Sequence, residues 1–253
     1  MRIAIKFAYD GKDFQGYARQ PKLKTVEGEL IKSLVKHGFI KDPEESFFRS
    51  GSRTDKNVSA LGNVVAFITT ASKKNLLQTI SDDSSILAYG IKDVDQEFNP
   101  RHAKLRQYRY YLSTTNLDIE KIVSTSACFT GTHNFSNFAR VESFKDPVRT
   151  IDNIIFSVED DFLILDFYAQ TFLWHQIRRI ISALIKVGSG KLEKEQIIDA
   201  LVNIDKKVDF GLAPAEPLIL MDIVYDFNFQ CDKKLLNELS SFEERILSNI
   251  SNA

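Results

Sequence analysis

Cysteine is scarce in this chain of 253 residues, with Cys128 and Cys231 the two present. Two thiols make no disulfide framework, and neither stands at a metal-ligand spacing; both read as buried thiols. Long apolar runs are missing too. None approaches the roughly eighteen residues that a membrane span needs. The start, Met1-Arg-Ile-Ala-Ile-Lys-Phe7, alternates like a strand and lacks the apolar block of a signal peptide. A cytoplasmic protein with no membrane partner is the expectation. Charge of one sign is not in excess: 33 Lys and Arg face 34 Asp and Glu, for a formal net charge of −1. Global charge therefore gives no sign of nucleic-acid binding. The histidines, His37, His102, His133 and His175, are scattered without metal-ligand spacing. No metal is expected, and His133 reads as a hydrogen-bonding loop residue. No Gly/Ser-rich linker separates the chain into independent parts.

What is present is an ordinary globular composition, 43% hydrophobic and 26% charged, in a length that can bury a sizeable core as one large or two smaller domains. The charge, although balanced, is unevenly spread. From Arg101 to Arg109 there are four cations (Arg101, Lys104, Arg106, Arg109) and no acid, and from Phe167 to Lys191 again four (Arg178, Arg179, Lys186, Lys191) and no acid. Such stretches can hold phosphates on one face, or can be ordinary solvated surface.

Ile3, Ile5, Phe7 and Tyr9 alternate as a half-buried strand ended by Asp10-Gly11. Thr25 is a fitting N-cap for a helix with Val26, Leu30, Leu34 and Val35 on one face and Gly38 as its stop. Strands are predicted over 63–69, 85–91, 105–113, 149–158, 162–169 and 218–227. Helices are predicted over 74–81, 173–187 and 194–203, the last with Ile197, Ile198 and Leu201 inward. The tail places Leu235, Leu239, Phe242, Ile246 and Ile250 at helical spacing. Strands and helices mixed in this way indicate an α+β protein of two abutting subdomains, 1–103 and 104–253.

Two places carry chemistry. In Arg49-Ser-Gly-Ser-Arg-Thr-Asp-Lys-Asn-Val-Ser-Ala60 a single carboxylate, Asp55, sits in a turn-prone loop beside Arg49, Arg53 and Lys56. Nearby cations favour its ionised form, which suits a nucleophile or an electrostatic stabiliser better than a proton donor; a surface turn with local ion pairs is the plainer alternative. In the helix near 173–187, Arg179, Ser182 and Lys186 form a stripe that can face water. Arg178 does not: Trp174, Ile181 and Ile185 are its helical neighbours. A guanidinium on such a face needs an anion, a carboxylate or a ligand phosphate, unless it snorkels at the core edge over Trp174. Asp55 is the carboxylate that most needs such a partner.

These segments together resemble the TruA family of tRNA pseudouridine synthases. Tyr9-Asp10-Gly11, Phe14, Gly16 and Thr25-Val26-Glu27-Gly28 are similar to that family's opening. Gly51-Ser-Arg-Thr-Asp55-Lys-Asn-Val-Ser-Ala60 is similar to its catalytic loop, and Arg106-Gln-Tyr108-Arg-Tyr110 to its Arg-x-Tyr-x-Tyr segment. Phe172-Leu-Trp-His-Gln-Ile-Arg178 is similar to the segment whose arginine pairs with the catalytic aspartate. Gly131-Thr-His-Asn-Phe135, Arg149-Thr-Ile151 and Ala213-Pro214 are further landmarks. Asn57 stands where the family often has glycine, and can keep the turn because Asn tolerates the left-handed conformation. Ser59 and Tyr17 also depart from frequent family residues.

The resemblance implies the pseudouridine synthase fold, in which each subdomain is a mainly antiparallel sheet with helices on one face and a cleft lies between them. It implies an isomerase acting on uridines at positions 38, 39 and 40 of the tRNA anticodon stem-loop, and a homodimer. Asp55, Tyr108 and Arg178 are the implied catalytic residues, with Arg53, Lys56, Arg101, Arg106, Arg109 and Arg179 as phosphate contacts. Isomerisation oxidises nothing and releases no group, so no cofactor is expected. Asp55 would attack C1′ or remove a ribose proton. The competing readings are a non-catalytic RNA-binding module of the same fold and a metal-dependent hydrolase, for which carboxylate and His clusters are missing.

Overall fold

The computed structural model describes residues 1–83 and 85–251. The chain divides into two compact units, Met1–Lys104 with Ile219–Ala253, and Leu105–Leu218. Both mix strands and helices, an α+β protein as the sequence indicates.

The first unit opens with β1 (Arg2–Tyr9), α1 (Val26–Lys36), the two-residue β2 (Arg49–Ser50), β3 (Ser59–Ile68), α2 (Leu76–Asp83) and β4 (Ile86–Val94). β1 pairs antiparallel with β3 on one side and β4 on the other. It is covered on both faces and not half-buried, because its polar positions find partners inside. Arg2 donates to the carbonyls of Phe98 (3.0 Å) and Phe47 (3.2 Å). Lys6 pairs with Asp222 and lies over the Phe229 ring. These partners offset the cost of taking two cations out of water.

Thr25 caps α1, its Oγ1 accepting from Gly28 N at 3.2 Å, and Gly38 leaves the helix at φ +70°. Val26, Leu30 and Leu34 are buried as their spacing predicts. Val35 is not: it is 42% exposed, and Ile31 is buried in its stead. One residue is about 100° of helix rotation, enough to carry Val35 past the edge of the stripe.

The second unit contains β5 (Leu105–Ser113), α3 (Ile119–Ser126), the hairpin β6 (Gly131–Asn134) and β7 (Val148–Ile151), β8 (Asn153–Glu159), β9 (Phe162–Ala169), α4 (Gln176–Gly188) and α5 (Lys194–Val202). β9 pairs antiparallel with both β5 and β8. The strand expected over 149–158 is two, because the chain changes partner at Asp152: Val148–Ile151 pairs with β6, and Asn153 onward with β9. Asp160, at φ +49°, turns β8 into β9. α3, not foreseen in the sequence, starts at Asp118, whose carboxylate accepts from Lys121 N at 3.0 Å. In α5, Ile197 and Leu201 point inward but Ile198 is exposed, and Ala200 is buried.

Past residue 218 the chain contributes β10 (Leu218–Val224), β11 (Gln230–Cys231) and α6 (Lys233–Ser251). β10 pairs in parallel with β3 and β11 antiparallel with β4. These pairings place the tail in the first unit, where a single cut near residue 103 assigns it to the second. α6 buries Leu235, Ile246 and Ile250, with Leu239 and Phe242 half-buried. The thiols are less sheltered than expected: Cys128 is half-buried and Cys231, on the short β11, is exposed.

Candidate active site

In the first unit, the loop between β2 and β3 carries Asp55, half-buried, between exposed Arg53 and Lys56. Asn57 adopts φ +69°, the left-handed conformation its residue type allows, and Val58 N donates to Asp55 O at 3.3 Å. The neighbouring strands brace this loop. Tyr9, at the end of β1, holds Thr54 through a 2.8 Å hydroxyl–hydroxyl bond. Asn63, fully buried in β3, donates from Nδ2 to Ser52 O at 3.0 Å and accepts from Ser52 N at 3.3 Å. Gly51 N donates to Val64 O at 2.7 Å. Each bond to a buried amide costs about 1–3 kcal/mol to leave unmade, so the loop has one favoured shape.

The turn Gly11–Asp13 lies directly beneath. Gly11 N donates to Ser59 Oγ at 2.9 Å, which gives Ser59 a structural task. A Cβ on Gly11 would stand 2.5 Å from the carbonyl carbon of Asn57, so glycine there is a condition of the fit. Glu27 of α1 adds a further brace, accepting from Ser50 Oγ and Arg19 N, both at 3.0 Å.

Exposed arginines gather on the same unit. Arg101 has its guanidinium held below the ordinary arginine value, first by partial desolvation and then by Arg53 and Arg49, with Glu27 opposing. Like charges held this close favour an anion among them.

In the second unit, alternation along β5 puts Arg106, Tyr108 and Tyr110 on one face and Gln107, Arg109 and Tyr111 on the other. Tyr108 is 8% exposed and meets Phe172 edge to face at 5.4 Å. Tyr110 donates to Pro214 O at 3.2 Å; burial raises its hydroxyl pKa, against the lowering effect of Arg178. Arg106, expected at phosphate, is 5% exposed and donates to the Gln170 carbonyl. Arg109 forms a bidentate pair with Asp166, Nε and Nη2 each at 2.9 Å. This bond is the main reason that its guanidinium pKa is raised.

α4 begins after Trp174, so that ring is no helical neighbour of Arg178; the cation over it is Arg140, 4.1 Å from the ring centroid. Arg178 is half-buried and donates from Nε to Ala213 O at 2.8 Å. The stripe expected to face water is half covered. Arg179 Nη1 meets Asp209 Oδ1 at 2.9 Å, and Ser182 Oγ donates to Phe210 O at 2.7 Å. The segment after α5 folds back along α4, with Ala213 N on Arg178 O at 3.1 Å. His133 bonds through Nε2 with Thr130 O at 2.9 Å.

Asp55, Arg53, Lys56 and Arg101 thus belong to the first unit, and Tyr108, Arg106, Arg109, Arg178 and Arg179 to the second. Nothing in the sequence marks Tyr9, Glu27 and Asn63 as site residues, although Tyr9 and Glu27 stand inside the opening landmarks. Asp166 and Asp209 carry no sequence signal, because pairing across strands or back along a helix joins residues distant in the chain.

A family model described as tRNA pseudouridine synthase matches residues 126–226. A protein of Thermococcus sibiricus named tRNA pseudouridine synthase A is 42% identical over 253 residues, covering 97% of this chain and 93% of that one. Its namesake from Pyrococcus abyssi is 43% identical over 261 residues, covering 100% and 96%. That from Pyrococcus furiosus is 39% identical over 242 residues, covering 94% and 89%. Among solved structures, an H/ACA RNP bound to a substrate RNA matches 84% of this chain and 60% of that chain at a TM-score of 0.36 and 11% identity, too slight a likeness to place any residue. Identity of this level along nearly the whole length shows that the chain belongs to the TruA family of tRNA pseudouridine synthases.

Proposed function

We propose that this chain isomerises uridine to pseudouridine in the anticodon stem-loop of tRNA, at positions 38, 39 and 40, with Asp55 as the carboxylate that acts on the ribose. Membership of the family makes it an isomerase. The observation that carries the assignment to Asp55 is the bracing of its loop by Tyr9, Asn63 and Gly11. A turn that only reversed the chain at the surface would not require three buried supports.

The reaction breaks the C1′–N1 bond, turns the uracil and joins C5 to C1′, after which a proton leaves C5. Positive charge develops at C1′, and an ionised carboxylate is the group to meet it, by chemical analogy with glycoside cleavage. Asp55 acts by attack on C1′ or by taking a ribose proton; both routes need it ionised. Arg178 is assigned to hold the Asp55 carboxylate in orientation. Tyr108 is assigned to the extruded uracil. Extruding the base costs a few kcal/mol, and a tyrosine face returns about 1–3 kcal/mol by stacking.

Phosphate contact falls to Arg53, Lys56 and Arg101, which are exposed, together with Arg49. Arg106 is buried and Arg109 and Arg179 have carboxylate partners, so their assigned roles are structural. The cytoplasm is the location that fits a tRNA-modifying enzyme, and a homodimer is the assembly that the family resemblance implies. Among the described residues, no helix is long and apolar enough to cross a membrane.

The test maps pseudouridine on a mixed tRNA pool treated with the wild-type protein and with Asp55→Asn. The wild type should modify uridines of the anticodon stem-loop, and the variant should bind tRNA without forming product. Normal turnover by Asp55→Asn would refute its role. A wild type that binds tRNA but leaves every uridine unchanged would instead support the non-catalytic reading.

A further inference from the structure

The second unit carries an aromatic group that the proposed chemistry does not use. Trp174, the one tryptophan in the chain, is 46% exposed. It is nonetheless held firmly. Arg140 N donates to Trp174 O at 2.8 Å in an isolated antiparallel bridge, and the Arg140 guanidinium lies 4.1 Å from the ring centroid. The His175 ring meets it at 4.9 Å, tilted by 53°. His175 takes φ +64°, uncommon for a residue other than glycine, and α4 starts at the next residue. Nearly half of the residue's surface stays exposed beside Arg140 and His175.

Leaving nearly half of a tryptophan exposed forgoes a like share of the gain from burying it, and fixing its rotamer costs entropy. A packing residue needs neither. A ring that is half-exposed, anchored through its backbone and backed by a guanidinium has the properties of a stacking platform for an unpaired nucleobase. Arg140 contributes twice: it polarises the ring through a cation–π contact and presents positive charge beside the phosphates that flank a stacked base. The segment between β6 and β7 that supplies Arg140 also carries Phe144, 80% exposed, with Lys145 5.8 Å from its ring. Lys145 is partly neutralised by Glu142, so Arg140 is the stronger cation of that segment.

We propose that Trp174, backed by Arg140, is a stacking site for an unpaired nucleobase of the RNA substrate, separate from the base that Tyr108 receives. This rests on the reading of the chain as a tRNA-modifying enzyme and adds to it a second point of recognition, for single-stranded loop nucleotides. A hairpin loop presents such bases and a duplex does not, so the site selects loop over stem.

The single tryptophan makes the test direct, because intrinsic fluorescence reports this residue alone. Asp55→Asn protein is titrated with a synthetic anticodon stem-loop RNA and, separately, with a fully paired duplex of the same length, binding being followed in parallel by gel shift. The stem-loop should quench and shift the Trp174 emission at saturation, and the duplex should not. In otherwise wild-type protein, Trp174→Ala should weaken stem-loop binding by about 5- to 100-fold, with Trp174→Phe recovering much of the loss and Arg140→Ala falling between. Emission unchanged by bound stem-loop overturns the proposal, as does an unchanged affinity in Trp174→Ala; a lower melting temperature with unchanged affinity would show that the Arg140–Trp174 pair only tethers the loop. Failure of the enzymatic reading has a different signature, absence of pseudouridine from wild-type reactions whatever the emission does. RNA that does not bind at all overturns both.

Discussion

Gly11→Ala reaches the proposed catalytic loop without touching a charged or reacting group. A Cβ at Gly11 would stand 2.5 Å from the Asn57 carbonyl carbon, 2.6 Å from that of Val58 and 2.7 Å from the Asn57 oxygen. All three are backbone atoms and cannot rotate aside. To regain an ordinary contact of 3.4 Å the loop must withdraw by 0.9 Å. Overpacking of this kind costs about 1–3 kcal/mol, a loss of roughly 2–4 °C in melting temperature per kcal/mol for a chain of this size. The kinetic effect should be larger. Asp55 lies two residues before Asn57, and a misplacement near 1 Å can lower the rate by about 100-fold. The assay is steady-state conversion of tRNA uridine with calorimetry alongside; kcat should fall steeply while KM changes little. Gly38→Ala is the control, since Gly38 has φ +70° with open space around it. It should cost about 1–2 kcal/mol of backbone strain and leave kcat as it was. A Gly11→Ala protein with wild-type kcat would refute the reasoning that Gly11 supports the Asp55 loop.

Two further predictions concern the second unit. Arg109→Ala leaves the Asp166 carboxylate buried with Gln107 as a remaining partner at 3.2 Å. The expected loss is about 2–3 kcal/mol, seen as a lower melting temperature with kcat retained. Adding Asp166→Leu should restore part of the stability, and a loss of tRNA affinity larger than the loss of stability would return Arg109 to the phosphate contacts. Asp209 has its carboxyl below the ordinary range, chiefly through the Gly211 N–H and further through Arg179. A depressed folded value means that its stabilisation is present above the ordinary carboxylate range and is lost as pH falls through the folded value. Asp209→Asn should therefore melt lower than wild type at neutral pH, and the two curves should converge in strong acid; a constant difference across that range would contradict the assignment.

Much of the fold was legible because local physics wrote it. The alternation of Leu105–Ser113 defined β5 to the residue, and Thr25 marked the start of α1 through a bond made within three residues. Turn chemistry behaved likewise: Asn57 takes the left-handed conformation that its residue type permits. Failures came where a side chain's fate depends on a distant segment. Val35 and Ile198 are apolar at helical spacing yet exposed, because the width of a buried stripe is set by what packs on it.

By itself the sequence determined that one carboxylate, Asp55, stands among cations in a turn-prone loop, and the order of that loop, the tyrosines of β5 and the arginines of α4 carried the family resemblance that implies the chemistry. Tertiary structure alone decided which charges are exposed and which turn inward. Arg106 turned inward to the Gln170 carbonyl, Arg109 found Asp166 across the β5–β9 ladder, and Arg179 met Asp209 on the segment folded back along α4. Arg53, Lys56 and Arg101 stayed exposed. All six look alike in sequence. Coulomb partners and burial are set by three-dimensional distance, which spacing along a chain does not encode beyond the nearest turn or strand.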